Sequence, residues 1–402
     1  MNSETKWVGS FSVSATNLTL TNIQFKNETI LIKLNITLGG KFIRIKFSNL
    51  YGSLPLKIKE ACIYSENLVY SSIFFNGNHE TVISEKDEIY SDPLEYAVNP
   101  GENYWLGIYI ENFTELSTGN FSLFSYYISE KGNILNELKN KDTGILHNSE
   151  YKNYLVPFIT NVEVSSEIPC SSLIIFGDSG IANGWHSHLV KRFQINNIRN
   201  IAVLSQEING NRLLHSCPDQ LKGLYGSSGL SRLERDVLKQ NGVKFLILFP
   251  GINDLISSCK TTDTSLSKGT DIINALKICS TLAKENNIII IGCTIPPVYG
   301  CKYYSDRLEN IRKTVNHWIR DSEEFDSVAD FDSFLCNPEE PEKLKKTFDN
   351  GEYFYINDTG VKAMAECIDL KIFSKNNMEC LFKILDLYCI IDIVLNFNLS
   401  YG

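Results

Sequence analysis

Hydrophobic and polar residues follow two different patterns in the two halves of this 402-residue chain. In the first half, short segments rich in β-branched and aromatic residues partly alternate between apolar and polar positions, and turn residues separate them. These segments are residues 29–38, 41–47, 104–110 and 120–128. Alternation with a period of two is typical of half-buried strands. The pattern predicts an antiparallel β-sandwich of about 150 residues.

The second half alternates apolar runs with longer stretches of helical periodicity. The apolar runs are residues 173–176, 201–204, 245–249, 288–293 and 328–331. The helical stretches include residues 230–239, 271–285 and 307–320. Strands that alternate with helices form parallel sheets, because each helix returns the chain to the starting end of the sheet. We therefore expect an α/β/α region with helices on both faces of a parallel sheet.

The two patterns divide the chain into three regions. The expected regions are a β-sandwich domain over 1–164, an α/β/α domain over 165–372 and a C-terminal tail over 373–402. Residues 165–169 are the expected hinge. In the tail, apolar residues recur at helical spacing, but charged residues interrupt them too often for a membrane span. We expect a packed amphipathic helix there.

Charge and motif content narrow the class of ligand. The formal net charge of −9 argues against nucleic acid or an anionic membrane as the main partner. The sequence holds no GxGxxG loop and no Walker loop, and its eleven cysteines show neither a Cys-x-x-Cys pair nor metal-ligand spacing. We therefore expect no nucleotide cofactor and no metal. The oligomeric state is left open by the sequence.

Cysteine usage and the N-terminus bear on location. The number of cysteines is odd, and several, such as Cys279 and Cys293, lie within apolar runs where a free thiol packs as a small hydrophobe. The first residues contain no apolar segment of the kind that signal peptides carry. These features favour a reducing, cytoplasmic setting.

Candidate chemistry is concentrated at residues 173–179, Leu-Ile-Ile-Phe-Gly-Asp-Ser. The four apolar residues predict a fully buried strand, which delivers Asp178 and Ser179 onto the turn before a helix. Backbone N–H groups at a helix N-terminus favour a developing negative charge, so a serine there is a candidate nucleophile. The same tripeptide is also ordinary turn chemistry, with Ser179 as a helix cap.

Three further segments follow later along the chain. They are residues 208–212, Ile-Asn-Gly-Asn-Arg, residues 251–254, Gly-Ile-Asn-Asp, and residues 349–360. Residues 173–179 are the first block, and these three segments are the second, third and fourth blocks. In order and spacing, the four blocks resemble those of the SGNH (GDSL-type) ester hydrolases. The resemblance implies a flavodoxin-like α/β/α fold and the hydrolysis of acyl or acetyl esters, including carbohydrate esters. The first half resembles the jelly-roll-like domain of one branch of this family, which either binds carbohydrate or covers the mouth of the active site.

The resemblance assigns a role to each matching residue. Ser179 matches the nucleophile, and its backbone N–H matches the first donor to the oxyanion. The backbone N–H of Gly210 matches the second donor and the side-chain amide of Asn253 the third. One donor of this kind can lower the barrier by about 2.7–4 kcal/mol. A turn glycine and a turn at a strand end are the alternative interpretations of Gly210 and Asn253.

The fourth block departs from the family pattern, which places an acid and a histidine three residues apart. Glu352 stands at the acid position and Tyr355 at the histidine position. Tyrosine has a reference pKa of about 10, so roughly one side chain in a thousand is a phenolate at pH 7. Since a serine hydroxyl needs a neighbouring base to take its proton, the resemblance implies a triad that lacks its base.

The six histidines offer one surrogate base near a site loop, His215, which follows Gly210 by five residues. On a helix that begins at Ser179, His186 would lie roughly 10 Å away along the axis, and His188 farther still. The other histidines are expected to be structural. Two hypotheses follow: a serine esterase that is weak or inactive, and a pseudoenzyme that binds a glycan or an acylated ligand without turnover.

Overall fold

The computed structural model describes most of the chain. The described residues are 6–67, 69–121, 126–129, 132–139, 150–152, 155–166, 168–178, 182, 184–217, 221, 223–250, 252–260 and 269–373. Ser179 lies outside them, as does the tail beyond Phe373. The predicted nucleophile and the predicted tail helix therefore stay predictions.

The first part of the chain forms antiparallel strands, as its alternating pattern predicts. They are β1 (Trp7–Ser12), β2 (Thr16–Asn17), β3 (Gln24–Phe25), β4 (Glu28–Leu34), β5 (Gly40–Ser48), β6 (Leu56–Ile58), β7 (Glu60–Ser65), β8 (Tyr70–Ile73), β9 (Thr81–Ile83), β10 (Glu88–Tyr90), β11 (Leu94–Val98), β12 (Tyr104–Ile110), β13 (Thr114–Glu115), β14 (Thr118–Asn120), β15 (Tyr126–Ser129), β16 (Glu150–Lys152), β17 (Val156–Pro157) and β18 (Ile159–Ser165). A 3-10 helix (Thr19–Thr21) and α1 (Leu135–Lys139) lie between them.

Two antiparallel sheets dominate this region and give it a sandwich-like architecture. One has the order β1-β18-β5-β10, with β11 also paired to β5, and the other has the order β16-β15-β4-β12-β7-β8. The predicted strand over 104–110 coincides with β12. The segment 120–128, predicted as one strand, instead contains the end of β14 and most of β15.

The second part forms the predicted parallel sheet. Its strands are β19 (Ser171–Gly177), β20 (Ile201–Glu207), β21 (Val243–Leu248), β22 (Ile289–Cys293) and β23 (Ser327–Ala329). Its helices are α2 (Trp185–Ile195), α3 (Gly229–Leu233), α4 (Ile252–Lys260), α5 (Gly269–Glu285), α6 (Asp306–Asp321), α7 (Phe331–Leu335) and α8 (Asp358–Cys367). The strand order β20-β19-β21-β22-β23 is that of a flavodoxin-like sheet, which confirms the predicted fold.

Three of the differences from the predicted boundaries have a visible structural cause. The last strand ends before Phe331, because the Asp330 side chain accepts the Ser333 N–H and caps α7. The stretch 230–239 is α3 followed by a π-helical segment (Glu234–Leu238). The helix expected to begin at Ser179 is described only from Trp185, and the residue before it, Gly184, has a left-handed φ of 87°.

The two parts of the chain share one continuous hydrophobic core, which contains buried residues of both. Backbone contacts join them as well, since the Gly9 N–H donates to the Asn241 carbonyl at 3.1 Å. Cys279 and Cys293 are fully buried, as predicted, and every cysteine side chain that the structure describes is a free thiol. In the described part of the chain, no helix is long and apolar enough to cross a membrane.

Candidate active site

The candidate residues follow the carboxyl ends of neighbouring strands in the parallel sheet. Gly177 at the end of β19 is the register partner of Glu207 at the end of β20, and Phe176 is that of Leu248 on β21. Because parallel strands end at the same edge of a sheet, the first three blocks leave the sheet side by side. Ser179 follows Gly177 by two residues, and its own position is not described.

Asp178 connects the first block to the second. It is buried, and its Oδ1 accepts a hydrogen bond of 2.7 Å from the backbone N–H of Gly210. Gly210 has a φ of 75°, and a Cβ there would lie 2.9 Å from a ring carbon of Tyr225. A side chain at this position would be strained and crowded, which explains the glycine. The N–H that the sequence assigns to the oxyanion hole is directed at Asp178 in this structure.

Asn253 connects the third block to the second. It lies in the first turn of α4, and its Nδ2 donates to the backbone carbonyl of Asn211 at 3.1 Å. Asn211 is buried, and its own Nδ2 donates to the carbonyls of Tyr225 and Ser227, both at 2.8 Å. An amide NH2 group carries two hydrogens, and this hydrogen bond uses one of them.

Asp254 fixes the loop that follows the second block. It is fully buried, and its carboxylate accepts the backbone N–H groups of Leu213 and Leu214 at 2.6 and 3.0 Å. Burial raises the pKa of Asp254 to about 6, although these two hydrogen bonds and the nearby His215 favour the charged form. The carboxylate therefore has a structural task at the site.

Arg232 is the buried cation of this region, with 1% of its surface exposed. It donates to the Gly177 carbonyl at 3.1 Å and to Oδ1 of Asn211 at 3.0 Å. Its Nη1 donates to Asp236 at 3.0 Å, and its Cζ lies 4.0 Å from the centre of the Phe176 ring. One guanidinium therefore holds the end of the first block against the second.

The loop of the fourth block is closed by Asn357. Its Oδ1 accepts the Gly360 N–H and caps α8, and its Nδ2 donates to the carbonyls of Thr347 and Asp349. In this loop Tyr355 is half-buried, with its ring 5.0 Å from that of Phe354.

Neither predicted residue of the fourth block contacts the predicted oxyanion donors through a hydrogen bond. Glu352 is exposed, and Tyr355 packs against the hydrophobic core. Among the described residues, no hydrogen bond joins either side chain to Gly210 or to Asn253. The described residues thus bring the second and third blocks together, and none of their hydrogen bonds connects Glu352 or Tyr355 to those two blocks.

Two histidines near the start of α2 have carboxylate partners. His186 Nδ1 lies 3.5 Å from Glu207, a buried carboxylate that also accepts the Trp185 indole N–H at 3.0 Å. His188 Nε2 lies 3.2 Å from Asp358. Because α2 does not run continuously from Ser179, the axial distance of about 10 Å expected for His186 does not apply.

Arg232 and Glu207 are the two residues of this region that the sequence analysis missed. Both contribute through partners that are distant in sequence, so no local motif marks them. A signal did exist for Arg232: it precedes Asp236 by four residues on a helical stretch, and the apolar residues Leu233 and Val237 directly follow the two charged residues. A charged pair at that spacing among apolar residues indicates a buried ion pair.

Residues 171–368 match the model of a protein family described as GDSL-like lipase/acylhydrolase. No curated protein matches the sequence.

Several solved structures match about half of the chain. A Bacteroides fragilis protein described as an acylhydrolase is 17% identical over 52% of this chain and 92% of its own, with a TM-score of 0.39. A GDSL-like lipase from Bacteroides thetaiotaomicron is 14% identical over 51% and 89%, with a TM-score of 0.38. An acetyl xylan esterase is 18% identical over 49% and 96%, with a TM-score of 0.36.

Proposed function

We propose that the chain is a weak ester hydrolase, because residues 171–368 match the model of the GDSL-like lipase/acylhydrolase family. Its substrate is an acyl or acetyl ester, with a carbohydrate as the alcohol, bound at the carboxyl edge of the parallel sheet. Ser179 acts as the nucleophile, Gly210 and Asn253 belong to the oxyanion cradle, and Glu352 and Tyr355 occupy the acid and base positions.

The observation that carries this proposal is the set of hydrogen bonds between the first three blocks. Asp178 holds Gly210, Asn253 holds Asn211, and Asp254 fixes the loop beyond them. These hydrogen bonds fix the loops that follow three neighbouring strands relative to one another. They support a preorganised site, and preorganised donors are the largest single source of catalysis in acyl transfer.

The proposed reaction proceeds in two steps. Ser179 Oγ forms a bond to the acyl carbon, and the bond from that carbon to the alcohol oxygen breaks, so the alcohol leaves with a proton. Water then attacks the acyl-serine and releases the carboxylic acid. Each step needs a group that accepts a proton near neutral pH. The phenol of Tyr355 accepts one poorly, because a tyrosine has a reference pKa of about 10.

A second candidate function is binding without turnover, and one observation favours it. The Gly210 N–H is engaged by Asp178, and one hydrogen of the Asn253 amide is engaged by Asn211. Two donors assigned to the oxyanion thus have partners within the protein. In this second function the cleft holds an acylated ligand or a glycan without cleaving it.

A fluorophosphonate probe separates the two functions. The probe reacts with activated serines, so we expect slow labelling of the wild type and none of Ser179→Ala. Slow hydrolysis of p-nitrophenyl acetate that is lost in Ser179→Ala would support the weak hydrolase. Absence of both labelling and hydrolysis would support binding without turnover. Rapid hydrolysis that depends on Ser179 would instead show that another group supplies the base.

A further inference from the structure

Five tyrosines lie on two loops beside the fourth block and form what we name the tyrosine cluster: Tyr299, Tyr303, Tyr304, Tyr353 and Tyr355. The first loop follows β22, and the second precedes α8. The Tyr299 and Tyr304 rings lie 4.7 Å apart, and Phe354 links the loops, with ring centres 5.3 Å from Tyr303 and 5.0 Å from Tyr355. The family's base position is therefore one end of an aromatic surface.

Two members of the tyrosine cluster expose their rings to solvent. Tyr299 is 38% and Tyr353 is 40% exposed, whereas most large aromatic side chains in the core are fully buried. A ring that serves only core packing is normally buried. Clustered exposed rings instead indicate a surface that binds something.

Tyr353 is held in an unfavourable backbone conformation. Its φ is 52°, in the left-handed region that bulky residues rarely adopt, and its N–H donates to Asp349 at 2.8 Å. Its ring lies over Gly300, where a Cβ would come within 3.3 Å of a ring carbon. Backbone strain of this kind often occurs at functional positions.

A cavity of about 590 Å³ adjoins the exposed ring of Tyr299. Its lining contains four cations, and each has a carboxylate partner. The pairs are Lys343 with Glu340, Lys313 with Glu342, Arg312 with Asp332 and Arg320 with Asp332. Its volume lies within the usual range for small-ligand sites. The lining therefore offers many hydrogen-bond donors and acceptors without an unpaired cation to attract an anion.

We propose that the tyrosine cluster and the adjoining cavity bind a neutral oligosaccharide. The faces of the two exposed rings suit the C–H groups of a sugar ring, because the face of an aromatic ring is negative and polarisable. The paired charges suit sugar hydroxyls, which donate and accept hydrogen bonds but carry no charge. The assignment of this oligosaccharide as the alcohol part of the ester rests on the proposed function. The assignment of the tyrosine cluster as a sugar-binding site does not depend on it.

The test is calorimetric titration of the full chain with unacylated oligosaccharides of xylose, glucose and mannose. We expect one of them to bind, and we expect Tyr299→Ala and Tyr353→Ala each to weaken binding by about tenfold. Tyr353→Phe keeps the ring and should bind nearly as the wild type does. Phe113→Ala, at an exposed aromatic residue of the sandwich, is the matched control and should have no effect.

Three results would overturn the proposal: no binding of any of the three sugars, equal binding by the alanine variants, or loss of binding in Phe113→Ala. A melting curve of each variant checks that it is folded. Ser179→Ala should bind the sugar as the wild type does. Sugar binding without fluorophosphonate labelling would therefore reject only the hydrolase, and labelling without sugar binding would reject only this inference.

Discussion

At the scale of single residues, the proposed function makes Tyr355 the residue that limits the rate of hydrolysis. Loss of the base of a serine triad costs several orders of magnitude, although roughly 10³–10⁴-fold catalysis over water can persist through the oxyanion hole and binding. Tyr355→His would restore an imidazole at the position that the family uses. We expect this variant to hydrolyse p-nitrophenyl acetate at least about tenfold faster than the wild type.

The double variant with Glu352→Asp should be faster still, because the family's acid is an aspartate and glutamate is one methylene longer. Tyr355→Phe is the matched control: it removes the hydroxyl but adds no base, and it should stay at the wild-type rate. Equal, near-background rates in all variants would mean that the cleft has lost more than its base.

Asp254 should make stability depend on pH. Its pKa is about 6 in the folded chain against an ordinary value of 3.8, so between these values the folded state holds a proton that the unfolded state has lost. The contribution of Asp254 to the free energy of unfolding should therefore fall as pH rises from 4 to 6 and change little outside that window. The expected loss from this group is about 3 kcal/mol.

Urea unfolding of the wild type and of Asp254→Asn at pH 4 and pH 7 measures this effect. The variant does not titrate, so the difference in stability between the two proteins should change with pH in the stated direction. An equal pH dependence in both proteins would show that Asp254 is not the group responsible.

The sequence could predict residues that act through local motifs but not those that act through distant partners. Gly210 and Asn253 follow strands, and strand ends meet at one edge, so their proximity to each other was predictable. The partner of the Gly210 N–H was not, because Asp178 lies 32 positions earlier in the chain. The acceptor that a backbone N–H contacts depends on the exact path of the loop, and no pattern in the sequence predicts that path.

At the scale of elements, periodicity predicted the strands and helices well, and capping set their ends. The stretch 271–285 differs from α5 by two residues at its start and ends at the same residue, and the stretch 307–320 differs from α6 by one residue at each end. The start of α2 was wrong because Gly184, rather than Ser179, precedes the helix. A left-handed glycine just before a helix depends on the preceding turn, which hydrophobic periodicity does not report.

Arg232 joins α3 to the ends of β19 and β20, and its loss should be costly. Removing one partner of a buried ion pair typically costs about 3–5 kcal/mol. Arg235 still contacts Asp236 when Arg232 is removed, but the Gly177 carbonyl and Oδ1 of Asn211 lose this donor. We therefore expect Arg232→Met to lower the free energy of unfolding by that amount in urea denaturation. Arg199→Met, at an exposed arginine, is the control and should change it by less than about 0.5 kcal/mol.

At the scale of the whole molecule, the sandwich is built into the α/β/α part. Ser14 Oγ lies 2.7 Å from Oε1 of Gln206 and 2.9 Å from Oδ2 of Asp236, and Arg232 donates to Ser14. The ion pair of Arg232 and Asp236, which lies beside the first two blocks, thus also contacts the sandwich. The alternating and helical patterns predicted both folds, but neither pattern carries information on how the two parts meet.

This junction predicts that the full chain unfolds as one unit. Because the hydrophobic core is continuous, separating the two parts would expose apolar surface and leave Arg232 and Asp236 without their Ser14 contact. Calorimetry of the full chain should therefore show a single transition, and a fragment of residues 165–373 should melt at lower temperature and bind the dye ANS. Two separate transitions, or a fragment with the Tm of the full chain, would mean that the two parts are energetically independent and that the sandwich is dispensable for the site.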